Sequence, residues 1–220
     1  INKKPATSFA CKEGQPSVRQ RASGGDRAGF QRLASSVLPD SSIFLHFPRR
    51  AFVQELMAVS LHTSHGDVKI EIFCDAVPET SENFLSLCAS GYYDNTDFHR
   101  NIKGFMIQGG DPLGTGKGGE SIYGKYFKDE MSENLKFTAR GIVGMANKGP
   151  DTNGSQFFIA YNKLPHLNFK YPIFGKVIAG WEVLDAMEKV PVGPKDRPLQ
   201  PIKLVSVTVH ANPIAEASYQ

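Results

Sequence analysis

Hydrophobic and polar residues alternate with a period of two in two well-separated parts of the chain. Residues 59–72 alternate around a polar turn at residues 64–67, which is typical of a β-hairpin with one buried face. Val205, Val207 and Val209 occupy every second position near the C-terminus and predict another half-buried strand. Strands near both ends of a domain suit a closed sheet, because pairing them removes exposed edges.

Two further segments have the features of helices. The first begins after Val77, with Pro78 at the first helical position, and ends at Gly91. The second runs from about Trp181 to Val190. Short apolar runs between the two helices predict further strands, and these are residues 97–101, 105–108, 142–146, 156–160 and 173–178. With two helices and many strands, a barrel capped by helices is the simplest architecture.

Residues 1–56 differ in composition from the rest of the 220-residue chain. They mix Ser, Gly, Arg and Gln without a sustained period and carry more basic than acidic side chains. Such a segment cannot bury enough apolar surface to offset the entropy of ordering, so we expect a disordered basic extension. A basic segment with few acids also fits an organelle transit peptide, and that alternative stays open. A globular domain over residues 57–220 follows, with Met57 as its natural start.

Charge and cysteine usage exclude several classes of protein. The formal net charge is +3, but the basic excess lies in residues 1–56, so the globular part does not carry the charge of a nucleic-acid-binding domain. Cys11, Cys74 and Cys88 are too few and too irregularly spaced for a disulfide framework or a zinc site. No apolar run approaches the roughly 18 residues of a membrane span. We therefore expect a protein of a reducing compartment, such as the nucleus or cytoplasm, that makes no contact with a membrane.

Several short motifs match known patterns only formally. Residues 114–119 satisfy GxGxxG, yet no predicted strand leads into them and no predicted helix follows, so we interpret them as a flexible loop rather than a dinucleotide site. Residues 153–155 form a glycosylation sequon that we interpret as a turn. The histidines lack metal-like spacing, and the chain contains neither a GxSxG elbow nor a close carboxylate pair. We expect no cofactor and no metal, and any chemistry must be non-covalent.

The remaining distinctive segments place polar side chains among aromatic ones. The two longest are FHRNIKGFMIQGGD at residues 98–111 and MANKGPDTNGSQFFI at residues 145–159. They are accompanied by VPETSENF at residues 77–84, SIYG at residues 121–124 and FGKV at residues 174–177. In order and spacing these segments resemble the cyclophilin family of peptidyl-prolyl cis-trans isomerases, from about Ala58 to Pro213. The segment around Arg100 and the ending VHANP at residues 209–213 are most similar to the spliceosome-associated cyclophilin-like 3 subgroup.

The resemblance implies a fold, an activity and a set of site residues. The fold is a mainly β structure, a closed eight-stranded antiparallel β-barrel capped by two α-helices, and the activity is isomerisation of X-Pro peptide bonds in proteins. Arg100 corresponds to the catalytic arginine. The substrate-binding positions are Phe105, Met106, Gln108, Ala146, Asn147, Gln156, Phe158, His166, Leu167 and Tyr171. Within this set the apolar side chains form the proline pocket, and Gln108 and Asn147 clamp the peptide backbone.

These residue types suit the reaction. Rotation about an X-Pro bond loses amide resonance, with a barrier of about 18–20 kcal/mol, and the twisted state leaves a lone pair on the proline nitrogen. A guanidinium aimed at that nitrogen stabilises the twisted state more than the planar one, and differential binding of this kind accelerates a reaction. One charge-assisted hydrogen bond of about 1.5–3 kcal/mol gives only about one or two decades of rate, so the apolar pocket must also contribute.

Two positions depart from the commonest family pattern. His166 stands where cyclosporin-sensitive members carry Trp, and an imidazole offers less apolar area than an indole, so we expect weak cyclosporin binding. Tyr171 stands where many members carry His, which changes the rim of the proline pocket. A second pocket of the family receives the residue two places before the proline. Its rim corresponds to Lys117, Lys125, Tyr126 and Lys148, and the three cations predict a preference for an acidic side chain there.

A function of another class stays open beside catalysis. The same groove would serve a binding module that docks on proline-containing segments of a ribonucleoprotein partner, with turnover incidental. In both cases the partners are proline-containing segments of proteins, spliceosomal proteins among them. We expect a monomer that does not bind nucleic acid directly.

Overall fold

The computed structural model of the protein describes residues 57–210. The expected disordered extension over residues 1–56 lies outside the described residues, as do residues 211–220 of the predicted domain. Within the described range, no helix is long and apolar enough to cross a membrane. The same range contains no group of three or more His, Cys, Asp or Glu side chains that could hold a metal ion.

The described residues form nine β-strands and two α-helices. The strands are β1 Met57–Thr63, β2 Gly66–Ile72, β3 Thr96–Asp97, β4 Arg100–Ile102, β5 Met106–Gly109, β6 Ile142–Met145, β7 Phe157–Ala160, β8 Ile173–Ala179 and β9 Lys203–His210. The helices are α1 Pro78–Ala89 and α2 Trp181–Glu188. The predicted hairpin is confirmed, since β1 and β2 pair from Met57 opposite Ile72 to Thr63 opposite Gly66. Both predicted helices are also confirmed, although α2 ends two residues before Val190.

The strands form one strongly curled antiparallel sheet, a half-barrel in the order β3-β9-β1-β2-β8-β6-β7-β5-β4. The prediction of a closed eight-stranded barrel is wrong. The two edge strands, β3 and β4, are successive pieces of one stretch of chain that Phe98 and His99 separate. β3 pairs with β9, and β4 pairs with β5, so the backbone itself crosses between the two edges and no hydrogen-bonded ladder joins them.

Strand β9 departs from the alternation that its valines predict. Thr63 of β1 pairs with Leu204, but the neighbouring His62 pairs with Ser206, which leaves Val205 as the extra residue of a β-bulge. Val205 is 45% exposed, whereas Leu204 is buried. The prediction of an inward-facing Val205 is wrong because a bulge adds one residue to one strand and moves the side chains beyond it to the other face.

The sheet carries an apolar cluster on each face. The larger cluster is the core under the two helices and includes Phe84 of α1 and Leu184 of α2. The smaller one, which we call the outer cluster, consists of Met106, Phe137, Phe158, Ala160, Leu164, Leu167 and Ile173. Because successive strand residues point to opposite faces, Phe157 joins the core while Phe158 joins the outer cluster. β7 is therefore buried on both sides, and one side supports a surface groove.

Candidate active site

A row of side chains crosses three neighbouring strands on the outer face. The strand register places Arg100 of β4 opposite Gln108 of β5, and Gln108 opposite Phe158 of β7. Residues directly opposite each other in an antiparallel sheet share a face, so a cation, an amide and an aromatic ring lie side by side. The row borders a groove with a cavity volume of about 240 Å³.

The floor of the groove is apolar. It is formed by Phe105, Met106, Phe158 and Leu167, together with Tyr171, whose ring meets that of Phe158 edge-on at a centroid distance of 5.7 Å. Beneath the floor, the Phe158 ring stacks on Phe137 at 5.4 Å. A pocket of this kind holds an apolar ring such as the pyrrolidine of proline by burying it away from water.

Gly144 makes room for this aromatic stack. It lies opposite Phe158 in the β6–β7 pair. A Cβ at this position would lie 2.9 Å from Cζ of Phe137 and 3.3 Å from Cζ of Phe158, closer than side chains pack in proteins. The absence of a side chain at Gly144 therefore lets both rings approach the sheet.

Two glutamines link the row to the opposite wall. Gln108 Nε2 donates to Gln156 Oε1 at 2.8 Å, and Gln156 Nε2 donates to the Gly118 carbonyl at 2.8 Å. The chain of amides fixes both side chains and attaches them to the loop at residues 110–119. In the described part of the chain Gln108 Oε1 makes no hydrogen bond, so this oxygen is available to accept an N–H from a bound peptide.

The loop at residues 110–119, which forms part of this wall, is built around the buried carboxylate of Asp111. The Asp111 carboxylate accepts hydrogen bonds from the backbone N–H groups of Leu113, Thr115, Gly116 and Gly118 and from the Thr115 hydroxyl, at 2.7–3.2 Å. Burial acts to raise the pKa of this carboxyl, but the hydrogen bonds outweigh it and hold the pKa below its usual value. The glycine-rich segment thus directs its N–H groups at an internal carboxylate rather than at a phosphate.

Asn147, the second predicted clamp residue, lies on the far side of the groove. Its Nδ2 donates to the Lys170 carbonyl at 3.1 Å and makes longer contacts of 3.4 Å with Asp129 Oδ1 and Asn153 Oδ1. Asp129 Oδ1 also accepts a hydrogen bond of 2.7 Å from Asn153 Nδ2. The side chain of Asn147 is therefore held by Lys170 and Asp129 of two other segments and by Asn153 of its own loop, and Asn147 lines the cavity beside Ala146.

Arg100 is half-exposed and has one side-chain partner. Its Nε donates to Asp196 Oδ2 at 3.4 Å. Among residues 57–210 this is the sole hydrogen bond or ion pair of the guanidinium, so the two Nη groups have no protein partner there. Sequence reasoning missed Asp196, because it lies 96 positions away and no motif marks it.

Next to Arg100, His99 is buried and packs against Gly116, where an added Cβ would lie 3.1 Å from Cδ2 of the imidazole. Burial lowers the pKa of His99, and the cations of Arg197 and Arg100 act in the same direction while Asp111 opposes them. The residue before the candidate catalytic cation is consequently held in its neutral form.

The structure brings most of the predicted site residues together. Those that line the cavity are Arg100, Phe105, Met106, Gln108, Tyr126, Ala146, Asn147, Lys148, Gln156, Phe158, Leu167 and Tyr171. His166 does not line the cavity but stacks on Phe105 at a centroid distance of 5.8 Å, at the end of the apolar floor. Thr152, which also lines the cavity, was not predicted.

The predicted rim of the second pocket is only partly assembled. Tyr126 and Lys148 line the cavity, whereas Lys117 and Lys125 do not. Lys148 Nζ donates to the Lys117 carbonyl at 3.0 Å, and Lys125 Nζ lies 5.5 Å from the centroid of the Tyr126 ring. One lysine therefore borders the groove directly, and the other two do not line it.

Comparison with known proteins shows the family of the chain. A family model described as cyclophilin type peptidyl-prolyl cis-trans isomerase/CLD matches residues 58–209. Peptidyl-prolyl cis-trans isomerase CYP18-1 of Arabidopsis thaliana is 69% identical over 159 residues, which cover 72% of this chain and 99% of that protein. Human peptidyl-prolyl cis-trans isomerase-like 3 is 62% identical over 161 residues, which cover 73% of this chain and 100% of that protein.

Solved structures agree with these sequence matches. The crystal structure of a cyclophilin type peptidyl-prolyl cis-trans isomerase from Cryptosporidium parvum has a TM-score of 0.70 at 54% identity and covers 72% of this chain and 99% of its own. A crystal structure of the same protein in the presence of the dipeptide Ala-Pro has a TM-score of 0.69 and covers 70% of this chain and 99% of its own.

Proposed function

This chain belongs to the cyclophilin family and is a peptidyl-prolyl cis-trans isomerase, and we propose that Arg100 and the groove beside it carry out the isomerisation of X-Pro bonds. The observation that supports these roles is the row of Arg100, Gln108 and Phe158 across three strands. The row combines a cation, a side-chain amide and an aromatic ring, the three kinds of group that the reaction requires. A related cyclophilin has been crystallised in the presence of Ala-Pro, which agrees with a site for proline-containing peptides.

In the proposed complex the proline ring lies on the apolar floor. Met106, Phe158 and Leu167 are buried, so a ring placed on them loses contact with water. The floor is well packed because its rings stack on one another, and it holds the proline while the residue before it rotates. The free Oε1 of Gln108 and the backbone around Asn147 hold the peptide chain on either side.

The guanidinium of Arg100 supplies the chemistry. In the planar amide the nitrogen lone pair is delocalised, and it becomes available only when the X-Pro bond is twisted. An Nη–H group of Arg100 donates to this lone pair, so the interaction is stronger in the twisted state and lowers the barrier. The bond is worth about 1.5–3 kcal/mol, or about one to two decades of rate, and exclusion of water by the apolar floor strengthens it.

The cellular setting that we propose is the nucleus or cytoplasm, with spliceosomal proteins among the substrates. The support is the similarity of the segment around Arg100 to the spliceosome-associated subgroup. Co-purification of the full chain with spliceosomal proteins from a nuclear extract tests this assignment. Recovery of the chain in complexes without spliceosomal proteins would contradict it.

Exchange NMR on a short Ala-Pro peptide tests the roles of the site residues, because it measures interconversion of the cis and trans isomers at equilibrium. We expect Arg100→Ala to lower the rate at saturating peptide by about ten-fold or more, while peptide affinity changes little. Lys69→Ala is a control that removes a cation on β2, since Lys69 lies outside the cavity lining. Wild-type turnover by the Arg100→Ala variant would disprove the proposed mechanism. Binding without turnover by the wild-type chain would instead favour a proline-binding module.

A further inference from the structure

The candidate catalytic cation is contacted by a carboxylate that belongs to a distant turn. Arg100 Nε donates to Asp196 Oδ2 at 3.4 Å, and both side chains are 43% exposed. Asp196 ends a short 3-10 turn, Pro194–Asp196, in the segment between α2 and β9. The contact therefore joins β4 to a segment that supplies no residue to the lining of the groove.

The backbone of this turn has an uncommon conformation. Lys195 and Asp196 have φ values of 62° and 57°, so two successive non-glycine residues are left-handed. At such a φ the Cβ atom comes too close to the backbone, and Asp adopts this conformation more readily than Lys. Backbone strain of this kind persists only where surrounding contacts enforce it, and it concentrates at functional sites.

The surrounding contacts are present on both sides of the turn. The Gly193 N–H donates to the Arg197 carbonyl at 2.8 Å, and the Leu199 N–H donates to the Pro191 carbonyl at 2.9 Å. Arg197 Nη2 donates to the Gly114 carbonyl, which attaches the turn to the loop around Asp111. The turn is thereby held against the wall of the groove, with the Asp196 carboxylate at the guanidinium.

We infer that Asp196 is a positioning residue for Arg100, an assignment that rests on the proposed role of Arg100 in the isomerisation. An arginine side chain has many rotamers. If it were ordered only in the transition state, the conformational entropy lost there would add to the barrier for isomerisation. The carboxylate binds the Nε side of the guanidinium and leaves both Nη groups to the substrate. Asp196 itself does not touch the reacting amide.

The Asp196 carboxylate also has an effect that opposes the benefit of orientation, and an experiment can distinguish the two. Its negative charge partly offsets the positive charge of Arg100 and weakens donation to the proline nitrogen. If orientation dominates, removal of the side chain slows turnover, and an uncharged acceptor restores it. If charge dominates, both Asp196→Ala and Asp196→Asn accelerate turnover.

The test compares Asp196→Ala and Asp196→Asn in exchange NMR on an uncharged Ala-Pro peptide. We expect Asp196→Ala to lower kcat about five-fold with KM nearly unchanged, because orientation matters in the transition state. Asn can still accept from Nε, so Asp196→Asn should recover at least half of the lost rate.

Lys195→Gly relieves the left-handed backbone without removing the carboxylate and serves as the control for disruption of the turn. We expect the melting temperatures to stay close to the wild-type value, because a half-exposed ion pair contributes little to stability.

A double-mutant cycle with Arg100→Ala completes the test. In that background Asp196→Ala should cause no further loss, since the group that Asp196 orients is gone. An equal loss in both backgrounds, an unchanged kcat in Asp196→Ala, or faster turnover in both Asp196 variants would overturn the inference. Failure of the proposed function is distinguishable, because it would appear as wild-type turnover in Arg100→Ala alone.

Discussion

Gln108 and Gln156 form a side-chain pair at the groove in which Gln108 Nε2 donates to Gln156 Oε1 at 2.8 Å. The pair lies next to Arg100 in the strand register and is attached through Gln156 Nε2 to the carbonyl of Gly118. This arrangement orients the amide of Gln108, and its oxygen accepts no hydrogen bond within residues 57–210. Of the two residues expected to clamp the peptide, Gln108 and Asn147, the first is therefore held by Gln156, which was itself expected among the substrate-binding positions.

Removing the orienting partner should weaken the clamp. In Gln156→Ala, Gln108 loses its acceptor, and we expect kcat/KM to fall by about three- to ten-fold, the value of one neutral hydrogen bond. Gln156→Glu keeps an acceptor for Gln108 but cannot donate to Gly118, so it shows which of the two hydrogen bonds matters. A Gln156→Ala variant with wild-type kcat/KM would mean that Gln108 does not depend on its neighbour.

Gly144 offers a test of the floor of the groove. An added methyl group would clash with Phe137 and approach Phe158, so we expect Gly144→Ala to lower the free energy of unfolding by about 1–3 kcal/mol and to raise KM. The double variant Gly144→Ala with Phe137→Leu removes the atom that clashes most and should recover part of the binding. Chemical denaturation and peptide titration measure the two effects. Equal stability of Gly144→Ala and the wild type would show that the rings can shift without cost.

The position two residues before the proline should favour an acidic side chain, mainly through Lys148. Lys148 borders the cavity, whereas Lys117 and Lys125 do not, so the preference should depend on one cation. We expect a gain of about two- to five-fold in kcat/KM for Glu over Lys, the value of an exposed ion pair, and the gain should shrink as salt is raised. Lys148→Gln should abolish the preference, and Lys125→Gln should leave most of it. A preference that survives Lys148→Gln would assign it to another part of the groove.

His99 should make the folded state sensitive to acid. The pKa of His99 is lowered below the ordinary value of 6.5 by burial, so the unfolded chain binds a proton at a pH where the folded chain does not. Above about pH 6.5 His99 is neutral in both states and does not change the free energy of unfolding. Below that pH the unfolded chain binds a proton first, so the free energy of unfolding falls. Denaturation of the wild type and of His99→Leu between pH 7.5 and 5.5 measures the difference in slope, with His65→Gln as a control outside the site. Parallel slopes for the wild type and His99→Leu would contradict the prediction.

Much of the fold and site follows from local features of the sequence. Alternation at Val68, Ile70 and Ile72 predicts β2, and Pro78 marks the first residue of α1, because both signals depend on the nearest few residues. The pairing of Arg100 with Gln108 is also local, since a short turn joins their strands. The resemblance of several sequence segments to the cyclophilin family indicates most of the side chains that line the groove.

Other features depend on how distant segments meet. The alternation of β9 gives no sign of the bulge at Val205, which appears only in the pairing of β9 with β1. The sequence also does not show that the barrel stays open. The chain passes from β3 through Phe98 and His99 into β4, and these two edge strands do not pair with each other.

The sequence by itself thus determined most of the strands, the two helices and the family, and through the family resemblance it indicated the groove residues. The predicted strand at residues 97–101 is divided in the structure into β3 and β4. The tertiary structure alone decided that Asp196 reaches Arg100, that Gln156 orients Gln108, and that only Lys148 of the three lysines borders the groove. The physical reason is the range of the forces involved. Periodicity and turn chemistry act over a few residues, whereas these contacts form between chain segments that approach each other only when the sheet curls and its loops pack together.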